Sequence, residues 1–204
     1  MKTILFKIIA CILILYLSGC YKRNFFPDPD DPGLSLLTSH GFNIGTVYIN
    51  GVPYINTYSK PLFGGIINTV PTVTKASANS TYDTLSISWP IEINDSISTQ
   101  FSSPYQSIAL LMPVPKTFTQ NDFLAMNGQR FSSNTNTVIL KTQNYNDTLS
   151  GLSNIYFVKV SVDTIEFSTR HLAFSGLFNG NIGDSILITK GRFDFEIDES
   201  SLNF

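Results

Sequence analysis

Cysteine is nearly absent. Cys11 and Cys20 both fall in the first twenty residues, so nothing beyond position 20 can form a disulfide, bind zinc through thiolate or act as a cysteine nucleophile. Histidine is almost as scarce, with only His40 and His171, and an all-His or Cys/His zinc site cannot be assembled from one chain. Charged residues make up only 14% and form no basic block, which removes the electrostatic footprint of nucleic-acid binding. No G-x-S-x-G occurs, since Gly151-Leu152-Ser153-Asn154-Ile155 fails at its fifth position. The glycine-rich stretch from Ser175 to Ser185 joins two strands and opens no helix, so it lacks the basis for cradling phosphate. Nor is there an apolar run of about 20 residues, the length a spanning helix needs.

What is present begins with a leader. Lys2 and Lys7 supply positive charge, Ile8 to Leu17 form an uninterrupted apolar core, and Leu17-Ser18-Gly19-Cys20 follows at once. A core this short fits a cleaved signal peptide rather than a membrane span. The four-residue box resembles the lipobox of bacterial lipoproteins. That resemblance implies cleavage after residue 19 and a diacylglycerol on the Cys20 sulfur, which would make residues 1–19 the signal peptide and Cys20 the membrane anchor. Residues 20–33 read as a tether: three prolines and three aspartates crowd its second half and favour extended, solvated backbone. Asp28, Asp30 and Asp31 lack EF-hand spacing and its late glutamate, so linker is preferred to a calcium loop.

From residue 34 to 204 the chain reads as a single β-rich domain, and apolar content of 43% is enough for a core. Leu85, Ile87, Trp89, Ile91 and Ile93 alternate with polar residues, the pattern of a strand with one buried face. Pro90 inside that run predicts an edge strand or a bulge, because proline cannot donate to a ladder. Phe193, Phe195 and Ile197 alternate with Arg192, Asp194, Glu196 and Asp198 in the same way. Asn50-Gly51 between β-rich arms predicts a hairpin, and Lys190-Gly191 a second tight turn. A change of parity between Val162 and Ile165 predicts a bulge or corner. Only 119–128 has helical character, with Thr119 as cap and Gly128 as stop. The expectation is an all-β domain, an antiparallel sandwich or barrel-like sheet with at most one short helix. Membrane-length strands with aromatic girdles are missing, which argues against an outer-membrane barrel.

Candidate chemistry is sparse. His171 opens a strand on the face opposite Leu172 and Phe174 and reads as a surface residue; His40 reads as a loop residue. Glu92, Glu166 and Glu196 fall on outward positions or near turns rather than forming an evident carboxylate pair. Tyr54, Tyr58, Tyr105 and Tyr145 lie near turns and could form a stacking platform for sugar or peptide; ordinary strand-edge tyrosine is the simpler reading. Trp89, on the buried parity, reads as core.

One pattern recurs beyond chance. Asp, then Ser or Thr, then Leu or Ile occurs at 83–85, 95–97, 147–149, 163–165 and 184–186, several-fold more often than composition predicts. Two explanations are compatible. Asp can close a turn while the apolar residue begins a buried row. The triplet also resembles the O-glycosylation acceptor of exported Bacteroidetes proteins, which implies Thr84, Ser96, Thr148, Thr164 and Ser185 as acceptors, all necessarily on the surface.

The segment from Thr46 to Ile55 and that from Ile186 to Ile197 resemble the ends of small, uncharacterised β-rich lipoproteins of Bacteroidetes. Those open with an Asn-Gly hairpin and close with a strand, a Gly turn and a Phe-containing strand. No catalytic residue, cofactor or metal comes with the resemblance. In such lipoproteins acidic residues straight after the cysteine accompany surface display. Here Tyr21-Lys22-Arg23 follows Cys20, which points instead to a periplasm-facing position in the outer membrane. The functional expectation is a non-enzymatic binding or adaptor module of the envelope, tied to the membrane by Cys20, with a protein or glycan partner. A structural envelope lipoprotein without ligand is the alternative, and a carboxylate-dependent hydrolase ranks third.

Overall fold

The computed structural model describes residues 27–56, 58–59, 67–68, 71–94, 103–132, 134–142, 147–164 and 170–202. Its strands are β1 (Ile44–Ile49), β2 (Val52–Asn56), β3 (Tyr58–Ser59), β4 (Ile67–Asn68), β5 (Thr72–Ser77), β6 (Tyr82–Ile93) and β7 (Tyr105–Pro115). A short helix α1 (Gln120–Leu124) precedes β8 (Arg130–Phe131), β9 (Thr137–Thr142), β10 (Thr148–Thr164), β11 (Arg170–Ile182) and β12 (Ile186–Asp198). A 3-10 turn over Glu199–Ser201 follows.

Each long strand pairs with its sequence neighbour. The order β1-β2-β6-β7-β9-β10-β11-β12 returns to β1, and every pairing is antiparallel. The sheet thus closes as an eight-stranded up-and-down barrel, with extra strands outside that path. Closure removes the free edges an open sheet would expose. Of the sandwich and barrel-like alternatives, the barrel is what forms.

Two short strands complete the wall where a neighbour ends. β2 pairs with β6 only over Ile91–Ile93, and β5 pairs with it over Asp83–Ser88. Likewise β9 pairs with β10 over Thr148–Leu152, and β8 meets it at Ile155 and Tyr156. This corrects the edge-or-bulge reading of Pro90. β6 is an interior strand with continuous register to β7, and Pro90 sits between the end of β5 and the start of β2. There the ladder on that side is already interrupted, so the missing N–H removes little.

The lumen is packed with rings. Trp89, Phe157, Phe174, Phe193 and Phe195 are all within 1% of fully buried. Trp89 lies 5.1 Å from Phe195, centroid to centroid, and 5.8 Å from Phe178 in an edge-to-face contact. The expected α1 is present, with Thr119 as its cap and Asp122 returning the bond in a capping box, but it ends at Leu124 with Ala125 as C-cap and does not reach Gly128. It delivers Phe123 edge-on to Phe157 and Phe174. Outward positions along β6 are Thr84, Ser86, Ser88, Pro90 and Glu92, so the wall is apolar inside and polar outside.

The Asn50-Gly51 hairpin forms as expected, both residues taking positive φ (50° and 79°) between β1 and β2. Lys190-Gly191 does not turn the chain. It lies within β12, where the register to β1 shifts between Arg192 and Thr189, so two residues oppose Val47 in a bulge. Lys190 carries the left-handed φ of 51°, and the reversal comes earlier, at Gly183–Ser185. The parity change of β10 likewise falls at Val158, between Phe157 and Lys159. Residues 165–169, on which the sequence reading relied, lie outside the described residues.

Candidate functional site

Three places on the outer wall carry chemistry: a strap formed by residues 27–43 and two open grooves. The strap begins where a solvated tether is expected, but it is docked. Pro27 bridges to Ser35, Asp28 N bonds Leu34 O at 2.9 Å, and Leu34 is fully buried. Arg192 of β12 reaches out to the carboxylates of both Asp28 and Asp31 and donates to Ser35 O at 2.6 Å. Lys190 joins the same Asp31. The Tyr48 hydroxyl donates to Pro32 O at 2.7 Å, and Asn94 Nδ2 donates to Gly33 O at 3.0 Å.

Further along, Asp194 gathers the strap. It is 2% exposed and accepts from the Thr38 hydroxyl, from His40 N at 3.2 Å and from Gly41 N at 2.8 Å. Lys159 holds Ser39 O at 3.3 Å. Asn43, at φ 55°, accepts from Glu196 N at 2.9 Å as the chain turns into β1. The strap therefore runs along the outer side of β12 from Lys190 to Glu196. Arg192, Asp194 and Glu196, which alternation assigns to solvent, face outward but lie beneath it.

These contacts bias titration. Asp28 is held below the ordinary carboxylate range, first by the N–H of Asp30 and then by the Arg192 guanidinium. Lys190 is raised by its bond to the Asp31 carboxylate.

Of the tyrosine platform, Tyr54 is not available at the surface. Tyr54 is 2% exposed and belongs to the core, where burial and then the neighbouring Tyr105 push its hydroxyl up to about 12. Tyr105 is half-buried with its ring 5.9 Å from that of Tyr54. Tyr145 lies outside the described residues, as does the side-chain environment of Tyr58. His171 Nδ1 sits 3.1 Å from Glu196 at the wall, and His40 is an exposed strap residue. Glu92 is outward and exposed on β6; Glu166 lies outside the described residues. Among the described residues no group of three His, Cys, Asp or Glu could hold a metal ion, and no helix is long and apolar enough to cross a membrane.

Cys20 and Ser96 lie outside the described residues. Thr148 is exposed at the start of β10, opposite Lys141, and Ser185 is exposed in the turn before β12. Thr84 is half-buried on the outer side of β6 and lines a groove of about 500 Å³ with Tyr82, Leu111 and Asn134. Thr164 ends β10 opposite Arg170. The strand-start explanation of the triplets fits Asp147 and Asp184. It also fits Asp83, the second residue of β6, where Thr84 faces outward and Leu85 opens the buried row, with Lys116 (3.8 Å) and Lys75 (4.0 Å) beside the carboxylate. It does not fit Asp163, which sits near the end of β10.

The second groove, about 540 Å³, was not anticipated from the sequence. Phe131 anchors β8 by packing edge-on to Phe157, with centroids 5.9 Å apart, which leaves its neighbour Arg130 outward. Arg130 Cζ stands 4.6 Å from the centroid of Tyr156, its cross-strand partner, and Tyr156 is in turn opposite Leu177 on β11. Two residues along, Asn154 Nδ2 donates to Asn179 Oδ1 at 3.0 Å. The available signal was Tyr156 on the outward parity between buried Ile155 and Phe157.

No family model, no curated protein and no solved structure matches the chain.

Proposed function

We propose that the chain is a bacterial envelope lipoprotein, tied to the outer membrane through lipid on Cys20 and facing the periplasm, whose barrel is a non-enzymatic scaffold holding a protein or glycan partner on its outer wall. The observation that carries this reading is the filled lumen. An eight-stranded barrel can hold one small ligand or fill itself with side chains. Here Trp89 and the rings of Phe157, Phe174, Phe193 and Phe195 occupy the interior, so a partner is met outside. Apolar-inward, polar-outward alternation on β6 is the reverse of a lumen-polar membrane barrel and supports attachment by lipid rather than by strands. Within the same reading, exposed Thr148 and Ser185 are the acceptors best placed for glycosylation of the folded protein.

Labelled palmitate supplied to a bacterial host producing the full chain tests the anchor. Label should enter the protein and be abolished by Cys20→Ala; an unlabelled, soluble product overturns the anchor. Capture of the lipidated protein from native envelope, followed by mass spectrometry, should return a reproducible partner and hexose at Thr148 or Ser185. Recovery of neither overturns the adaptor reading in favour of a purely structural lipoprotein.

A further inference from the structure

Arginine stands in contrasting surroundings on this barrel. Arg192 is ion-paired with Asp28 and Asp31, and Arg170 with Glu199 at 3.1 Å. Arg130 has no carboxylate partner among the described residues; it is exposed and stacked on Tyr156. Stacking preorients the guanidinium plane, so less side-chain freedom is lost when a planar anion binds. The rest of the groove is uncharged: Leu177 offers apolar surface, and the Asn154–Asn179 amide pair lies beside Tyr156. Leu177 is 37% exposed.

The wall also limits the class of ligand. At Ile155 and Tyr156 β10 is flanked by β8 on one side and β11 on the other. Its own backbone is already committed to ladders, so an extended peptide cannot add as a strand to β10 there. Recognition must come from side chains that combine one fixed guanidinium, amides and an apolar floor. That combination matches a ring bearing one carboxylate, several hydroxyls and a C–H face.

We infer that the groove between β8, β10 and β11 is a binding site for a carboxylated saccharide, with Arg130 gripping the carboxylate, Asn154 and Asn179 meeting hydroxyls, and Leu177 supporting the sugar ring. The inference rests on the reading of the barrel as an outer-wall binding module, and it names that module's ligand class. It is independent of the anchor, so palmitate labelling can succeed while the groove fails.

Titration of the detergent-solubilised full chain with trigalacturonate, galactotriose and an acidic hexapeptide, followed by calorimetry, provides the test. Trigalacturonate should bind at least about tenfold tighter than either control, and added salt should weaken it. Arg130→Gln should lose about tenfold to a hundredfold, as expected for a charge-assisted bond, without changing the melting temperature. Asn179→Ala should lose several-fold, while Lys141→Gln, at an exposed cation on β9, should match the parent. Equal binding of galactotriose or of the peptide overturns the assignment, as does no binding of trigalacturonate. A folded Arg130→Gln protein that binds like the parent overturns it too.

Discussion

On its inner face β12 sets Phe193, Phe195 and Ile197 among the rings of the lumen, whereas on its outer face Arg192, Asp194 and Glu196 lie under the strap. Both faces are covered, but by different physics. Burial in the lumen is non-directional and scales with apolar area. The strap is held by directed bonds to carboxylates and a guanidinium, each of which depends on the charge of its partner. Salt and pH should therefore act on one face and leave the other nearly untouched. The same contrast separates the arginines. Arg192 is occupied by two strap aspartates, while Arg130, on an unstrapped part of the wall, remains presented beside Tyr156.

The strongest break in this comparison is at the lumen. Phe193→Ala removes a 1% exposed ring that contacts Trp89, Phe157 and Phe195, and should cost about 3–5 kcal/mol by chemical denaturation. That loss should be nearly the same at low and high salt; strong salt dependence would contradict a dispersion-held core.

A smaller effect is expected from Asp194→Ala. It strands the Thr38 hydroxyl and the His40 and Gly41 N–H groups, at a cost of about 1–3 kcal/mol. Limited proteolysis should then cut within residues 27–43 while near-ultraviolet circular dichroism of the barrel is retained. Loss of both together would mean that the strap and the barrel are one cooperative unit.

The mildest perturbation is pH. The folded Asp28 carboxyl lies below its ordinary value, so its contribution is complete above about pH 4 and is lost as pH falls through the depressed value. Lys190 is raised, so its contribution is complete below about pH 10 and is lost only as pH climbs through the raised value. Protection of the amides over 27–35, measured relative to their intrinsic exchange rates, should fall in acid before any loss of protection at Trp89. Simultaneous opening of the two would remove the distinction.

Much of the barrel is legible along the chain because a half-buried strand repeats every two residues. Leu85 to Ile93, the Asn50-Gly51 turn and the Thr119 cap are local statements, each decided within a few residues. The strap is not local. Asp28 and Asp31 read as solvated linker until Arg192, more than 150 residues away, is placed across from them. Pro90 reads as an edge until β5 and β2 are seen to share one side of β6. Lys190-Gly191 reads as a turn until registers to β1 and β11 show a bulge. Tyr54 sits next to a hairpin and still points into the core, because β2 is a wall strand and not a rim. The groove of Arg130 needs the registers of three strands at once, which no single segment contains.

By itself the sequence determines an all-β chain whose strands bury one apolar face, with no thiol after Cys20 and no histidine cluster. It does so because alternation and composition are properties of neighbouring residues. Closure of the sheet into a barrel, the strap over β12 and the difference between a paired Arg192 and a presented Arg130 are decided only by tertiary structure. Side-chain chemistry depends on what faces it, and here the facing residues come from distant parts of the chain.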